Sequence, residues 1–231
     1  TYIRESQTQK FNCDDTTIDK SDHIVAFELD PQILTECINV ILKQMAEKLD
    51  SVREVSGNII ARLLNSGCGF LQKLPDHSIL VDALLNALNC RSDDINVINW
   101  SNPAFVFPFL SRVLHSDSYF YSILSGWVVA MGGLTEAVVK ESSRSLIDHC
   151  KFASKNEDNT FVEKLATVIL QLLYDFQDSD RVKIPTLKTL ILLMKSDCVS
   201  KYYHDNFQWV DKLILFIKTE IPSTGDLKKL L

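Results

Sequence analysis

A chain of 231 residues that is 46% apolar can build one large core or a short superhelical array, and it is too apolar to be disordered throughout. Only 7 Gly and 6 Pro argue against a sandwich or barrel, whose turns need both. The net charge of −6 disfavours a nucleic-acid binder.

Residues 1–30 are polar and mixed, and are expected to be a loop or partly disordered lead-in. The first residue is Thr1 and not Met, which leads us to expect a piece of a longer protein. The pattern changes at "LDPQILTECINVILKQMAEKLD". Asp30 suits an N-cap and Pro31 the first helical position. Ile33, Leu34, Cys37, Ile38, Ile41, Leu42, Met45 and Leu49 then form an apolar stripe at helical spacing. A second helix follows in "DSVREVSGNIIARLLNSG", with Val52, Val55, Ile59, Ile60 and Leu63 as its expected buried face and Asn65-Ser66-Gly67 as its stop. Two stripes joined by a short turn at Asp50 must pack antiparallel to hide their faces. Asp50 and Arg53 are close enough to pair across that turn, a contact that fixes geometry but contributes only about 0–1 kcal/mol if exposed.

The same texture continues, and helices are expected near 77–89, 103–115, 118–131, 135–153, 158–177, 185–197 and 207–220. Asn102-Pro103 repeats the cap-and-proline start. Pro108 and Pro185 must each either begin a helix or kink one, since an internal proline loses a hydrogen bond and costs about 3 kcal/mol. "VRxxSxxIIxxL" from Val52 is echoed as "VKxxSxxLIxxC" from Val139, an offset of about twice the ~43-residue period of helix-pair repeats. The pattern predicts an all-α fold over residues 31–231, built of stacked antiparallel helix pairs as a HEAT/armadillo-like α-solenoid.

The stretch "WVVAMGGLTEAVVKESSRSLIDHC", residues 127–150, gathers glycines, hydroxyls, carboxylates, a His and a Cys. Read as architecture, Gly132-Gly133 ends one helix, Thr135 caps the next, and Glu136 sits at the positive end of the dipole. Read as chemistry it fails. No phosphate-loop glycine spacing is present. His149 and Cys150 are neighbours whose side chains diverge by about 100° on a helix. Cys150 continues a stripe with Val139, Ser143, Leu146 and Ile147 and is expected in the core, with His149 at the surface. Six cysteines without CxxC and five histidines without H-x-x-x-H give no metal framework. A reducing compartment without disulfides is expected. The longest apolar run, Ile123 to Leu134, is too short to span a bilayer. No catalytic residue, metal or cofactor is expected, and an enzyme is not.

Charge is unevenly spread. Residues 1–180 hold 15 basic against 25 acidic side chains, and residues 181–231 hold 9 against 5. The C-terminal excess is either a solvated surface or a patch for an acidic partner.

"RSDDINVINWSNPAFVFPFLSRVL" (91–114), "YFYSILSGWVVAMGGLTEAVVKESSRSLIDH" (119–149) and "RVKIPTLKTLILLMKSDC" (181–198) together resemble the C-terminal region of the tubulin-folding cofactor D family. "EKLDSVREVSGNIIARLL" (47–64) resembles the helical repeat preceding it. Asn99-Trp100-Ser101 and Gly-Gly-Leu-Thr-Glu are the most specific segments. The resemblance implies a long cytosolic helical-repeat chaperone of the microtubule cytoskeleton. Such a protein captures β-tubulin and works with cofactor E, cofactor C and an Arf-like small GTPase to assemble or take apart the αβ heterodimer. GTP hydrolysis in that cycle falls on tubulin, aided by the cofactors. Because tubulin is acidic, Arg181, Lys183, Lys188, Lys195 and Lys201 are the expected contacts. A generic helical-repeat adaptor for another protein cargo is the alternative.

Overall fold

The computed structural model describes residues 30–66, 69–89, 98–156, 158–199, 202 and 206–220. The lead-in, Gly67, the cysteines at 13, 68 and 90 and Lys201 lie outside them. The described residues form α1 (Pro31–Met45), α2 (Asp50–Asn65), a 3-10 turn (Gly69–Lys73), α3 (His77–Asn89), α4 (Pro103–Val113), α5 (Asp117–Met131), α6 (Glu136–Lys155), α7 (Asn159–Asp175), α8 (Asp180–Lys195) and α9 (Phe207–Glu220), with no strand among them. The fold is all-α, with packed helix pairs in a HEAT-like solenoid arrangement.

The helix starts obey local chemistry. The Asp30 carboxylate accepts from the Gln32 amide at 2.8 Å ahead of Pro31, and the Asn102 side chain accepts from the Ala104 amide at 3.0 Å ahead of Pro103. Thr135 occupies the N-cap position of α6, but its side chain makes no capping hydrogen bond. Pro108 and Pro185 both lie inside helices, so α8 begins five residues before its proline.

Helix α5 is the hub. It packs against α1 and α8, and also meets α4, α6 and α7. Its sequence explains why. Tyr119, Phe120, Ile123, Leu124, Trp127 and Val128 are all buried and fill one broad side of the helix, and the small Ser125 and Gly126 are buried on the rest. A broad apolar side must be covered, and small residues opposite it let further helices close in. A Cβ at Gly126 would stand 2.6 Å from the Lys43 carbonyl of α1, and one at Gly132 would stand 2.4 Å from the Pro185 ring of α8. Missing side chains therefore set how closely both neighbours approach. The Trp127 indole donates to the Ser142 carbonyl of α6 at 3.0 Å. Tyr119 donates to the Pro75 carbonyl at 2.8 Å, and Trp209 of α9 donates to the Ala166 carbonyl of α7 at 2.8 Å. Large aromatics thus supply both buried area and a polar tether between helices.

The buried face of α2 differs from the expected one. It comprises Arg53, Ser56, Gly57, Ile60 and Ala61, while Val55 and Ile59 are exposed. The cause is remote in sequence. Trp100 is fully buried against α2, where a Cβ on Gly57 would lie 2.3 Å from the indole. Small residues on α2 make room for that ring. Beside it the fully buried Arg53 donates to the Glu47 carbonyl at 2.8 Å and, through Nε, to the Ser101 carbonyl at 3.2 Å, and it also pairs with exposed Asp50. Arg53 thus ties the α1–α2 turn to the turn before α4. The echoed segment in α6 does not repeat this packing. It buries Ser142 and Leu146, one residue out of step with Ser56 and Ile60, and Lys140, at the place of Arg53, is exposed.

His149, expected at the surface, is half-buried. Its ring meets His115 at 4.9 Å and Phe161 at 4.5 Å between centroids, and its Nε2 is buried without a hydrogen bond. Burial, and then the neighbouring His115 and Arg112, lower its pKa from 6.5 to about 4, against an opposing pull from Asp158. The fold therefore favours neutral His149, and between these values the unfolded chain binds the extra proton.

Two expectations follow. Replacing the fully buried Arg53 with Met removes the donors of the Glu47 and Ser101 carbonyls and should cost about 2–4 kcal/mol in urea unfolding, whereas Lys140→Met should stay within about 0.5 kcal/mol. Equal midpoints for the two variants would refute the clamp. The stability linked to His149 should be complete above pH 6.5 and be lost as pH falls toward about 4. Urea midpoints measured across that window should flatten in His149→Gln, and an unchanged slope would contradict the assignment.

Candidate partner-binding surface

Four of the five expected contact cations, Arg181, Lys183, Lys188 and Lys195, lie on α8. This helix buries Pro185, Thr186, Thr189, Leu190 and Leu193. Arg181, Lys188 and Lys195 are exposed. They are seven residues apart, just under two turns, so they form a row along one side. Among the described residues no carboxylate forms an ion pair with any of the three.

Lys183 behaves differently. Its ammonium bonds Glu220 of α9 at 2.7 Å, Asp180 at 3.1 Å and the Gln177 carbonyl at 2.9 Å. The Glu220 bond, then Asp180, raise its pKa. Lys183 thereby joins the start of α8 to the end of α9.

Alongside the basic row runs an apolar one. Ile184, Ile191 and Met194 are 46%, 51% and 47% exposed, and Leu187 between them is half-buried. The signal was present in an excess: α8 carries more aliphatic side chains than one buried face can take.

At the start of the basic row opens a cleft of about 380 Å³, lined by Lys48, Leu49, Leu134, Thr135, Arg181 and Pro185, with Gly132 and Gly133 at its floor. Leu134 is fully exposed on its rim. The Arg53 bond to the Glu47 carbonyl holds the turn that carries Lys48 and Leu49. The structure thus brings the Asp50–Arg53 pair, the glycine turn with Thr135, and Arg181 to the same end of the molecule. Gly132 is required there by the contact with Pro185 and not by a left-handed backbone.

The reactive groups are arranged for packing. Cys150 is buried on α6 beside Cys198, the residue that follows the end of α8 by three. The neighbouring thiol and burial push the Cys150 thiol far up. The same interaction lowers Cys198 to about 6, with burial opposing and the Ser196 hydroxyl at 3.3 Å helping. Neither thiol has an imidazole partner in these contacts, while His149 faces His115 and Phe161. Among the described residues no His, Cys, Asp and Glu cluster could hold a metal ion. No described helix is long and apolar enough to cross a membrane.

Comparison with known proteins gives a consistent result. The family described as tubulin folding cofactor D C terminal matches residues 35–229. A relative from Dictyostelium discoideum, tubulin-specific chaperone D, is 22% identical over 171 residues, which cover 73% of this chain and 11% of that protein. The chain therefore spans about a tenth of the length of that relative. No solved structure matches it. The match extends from within α1 to beyond α9, over the clamp, the hub and the α8 surface alike, and the chain belongs to the tubulin folding cofactor D C-terminal family.

Proposed function

We propose that this chain is a scaffold of a cytoplasmic tubulin-folding chaperone of the microtubule cytoskeleton. It binds β-tubulin and the other tubulin-folding cofactors, E and C, during assembly and disassembly of the αβ heterodimer, with an Arf-like small GTPase as a further partner. Its contribution is shape and charge. GTP hydrolysis belongs to tubulin, and the helices set the geometry in which it occurs.

The observation that carries the reading is the exposed row Arg181, Lys188 and Lys195, free of ion pairs among the described residues, in a family C-terminal region whose relative is named a tubulin-specific chaperone. A row of unneutralised cations attracts an acidic surface and speeds encounter with it. Lys201, six residues beyond Lys195, extends the same charge bias in sequence. Lys183 contributes by holding α8 against α9.

Size-exclusion chromatography of the chain with purified tubulin, with and without cofactor E, is the direct test. Co-elution with tubulin is expected, strengthened by cofactor E. Reversing Lys188 and Lys195 to Glu should weaken capture about tenfold at low salt without lowering the melting temperature, because both side chains are exposed. Unchanged capture at low salt, where screening is weak, would reject the surface. Recovery of other cargo with no tubulin would favour the general adaptor.

A further inference from the structure

We propose that the outer face of α8 is the seat for one amphipathic helix of a protein partner, apolar along its centre and acidic along one flank. The proposal rests on the reading of α8 as the chaperone's contact surface and specifies what that surface accepts.

The spacing carries the argument. Ile184, Leu187, Ile191 and Met194 recur at intervals of three and four, which is the seam of a helix that packs against another helix. Single exposed aliphatic residues are ordinary on a protein surface. Three that are about half exposed, in register over three turns, form a continuous ridge-and-groove surface for a second helix. Arg181, Lys188 and Lys195 fall at one repeated position beside that seam, Lys188 and Lys195 each directly after a seam residue. In paired helices this flanking position chooses the partner through charge. Here its charge is uniformly positive and has no internal carboxylate partner among the described residues.

The same rows argue against a second copy of this chain. Self-pairing through α8 would set one cationic row near another, and like charges at flanking positions are unfavourable. The inward side of α8 is already committed, with Pro185 against Gly132, and on the other flank of the seam Lys183 is bound to Glu220 of α9. An incoming helix therefore meets only the seam and its basic flank, in the helix-in-groove mode of recognition.

The test uses three labelled synthetic helices that share one apolar seam and carry Glu, Gln or Lys along the flank. Fluorescence anisotropy is read against the wild-type chain, a Lys188→Glu/Lys195→Glu variant and an Ile184→Ser/Ile191→Ser variant. The Glu-flanked helix should bind the wild type about tenfold tighter than the Gln-flanked one, and the advantage should fade with salt. The charge-reversed chain should prefer the Lys-flanked helix. The seam variant should lose all three while keeping its melting temperature. Equal binding of the Glu and Gln helices, absence of the charge swap, or a wild-type dimer in light scattering that the seam variant abolishes would each overturn the proposal. A parallel arm with αβ-tubulin separates the two readings. Tubulin captured equally by the wild type and both variants removes the helix seat and leaves tubulin binding standing. Tubulin captured by none, with the Glu-flanked helix still bound, removes the tubulin reading and leaves the seat.

Discussion

The enclosure of α5 is the constraint on which the other contacts depend. Its broad band of aromatic and aliphatic side chains must be covered, and the small Ser125 and Gly126 are buried on the remaining sides, so neighbours surround it. Gly126 lets the α1 backbone come within reach, Gly132 lets the Pro185 ring of α8 do the same, and Trp127 reaches the α6 backbone. An alanine at either glycine would drive a Cβ into backbone or ring atoms that have little freedom to retreat. Once α1, α5 and α8 are locked in one row, the rotation of α8 about its own axis is set. Pro185 faces inward, and Ile184, Lys188 and Ile191 are left facing out. The surface is thus a consequence of the core and not an independent decoration.

What was legible in the sequence was local. Asp30 with Pro31 and Asn102 with Pro103 announce their helices because the capping bond closes within two residues. Helix existence and order followed from periodicity for the same reason. What was illegible involves partners far away in the chain. The buried face of α2 depends on Trp100, which arrives from another turn and selects Gly57 and Ser56 over Val55 and Ile59. Composition favours the aliphatic side, and shape favours the small one. Pro185 could not be placed inside α8 from sequence, because a proline can begin a helix or sit within one, and the residue it packs on, Gly132, is far away in the chain. The echo between α2 and α6 misled similarly, since matching letters bury faces one residue apart and only one copy meets a tryptophan.

The polar interior follows one rule with two outcomes. Arg53 is fully buried and can be so because the Glu47 and Ser101 carbonyls and Asp50 occupy its donors. His149 is partly buried with no acceptor for Nε2, and it remains compatible with the fold by staying neutral. Cys198 is met by the Ser196 hydroxyl and carbonyl, and Cys150 is packed in the core as a small apolar side chain. Arg53, His149 and Cys150 are thereby built into the packing between helices.

The charge bias of the C-terminal segment illustrates how little a count says until side chains are placed. A basic excess could be neutralised internally, scattered, or aligned, and the three cases differ in what they attract. On α8 the outcomes are sorted residue by residue. Lys183, two residues before Pro185 and facing α9, is consumed by Glu220 and Asp180. Arg181, Lys188 and Lys195 are exposed on the same helix that buries their neighbours and form no ion pair with a described carboxylate. Their alignment follows from a spacing of seven residues on a rotation imposed by α5, and their apolar company follows from α8 having more aliphatic residues than its buried face accepts. A charged row without an aliphatic one would steer a partner without seating it, and an aliphatic row without charge would seat helices without choosing among them. The two together, on one rigid helix, supply both.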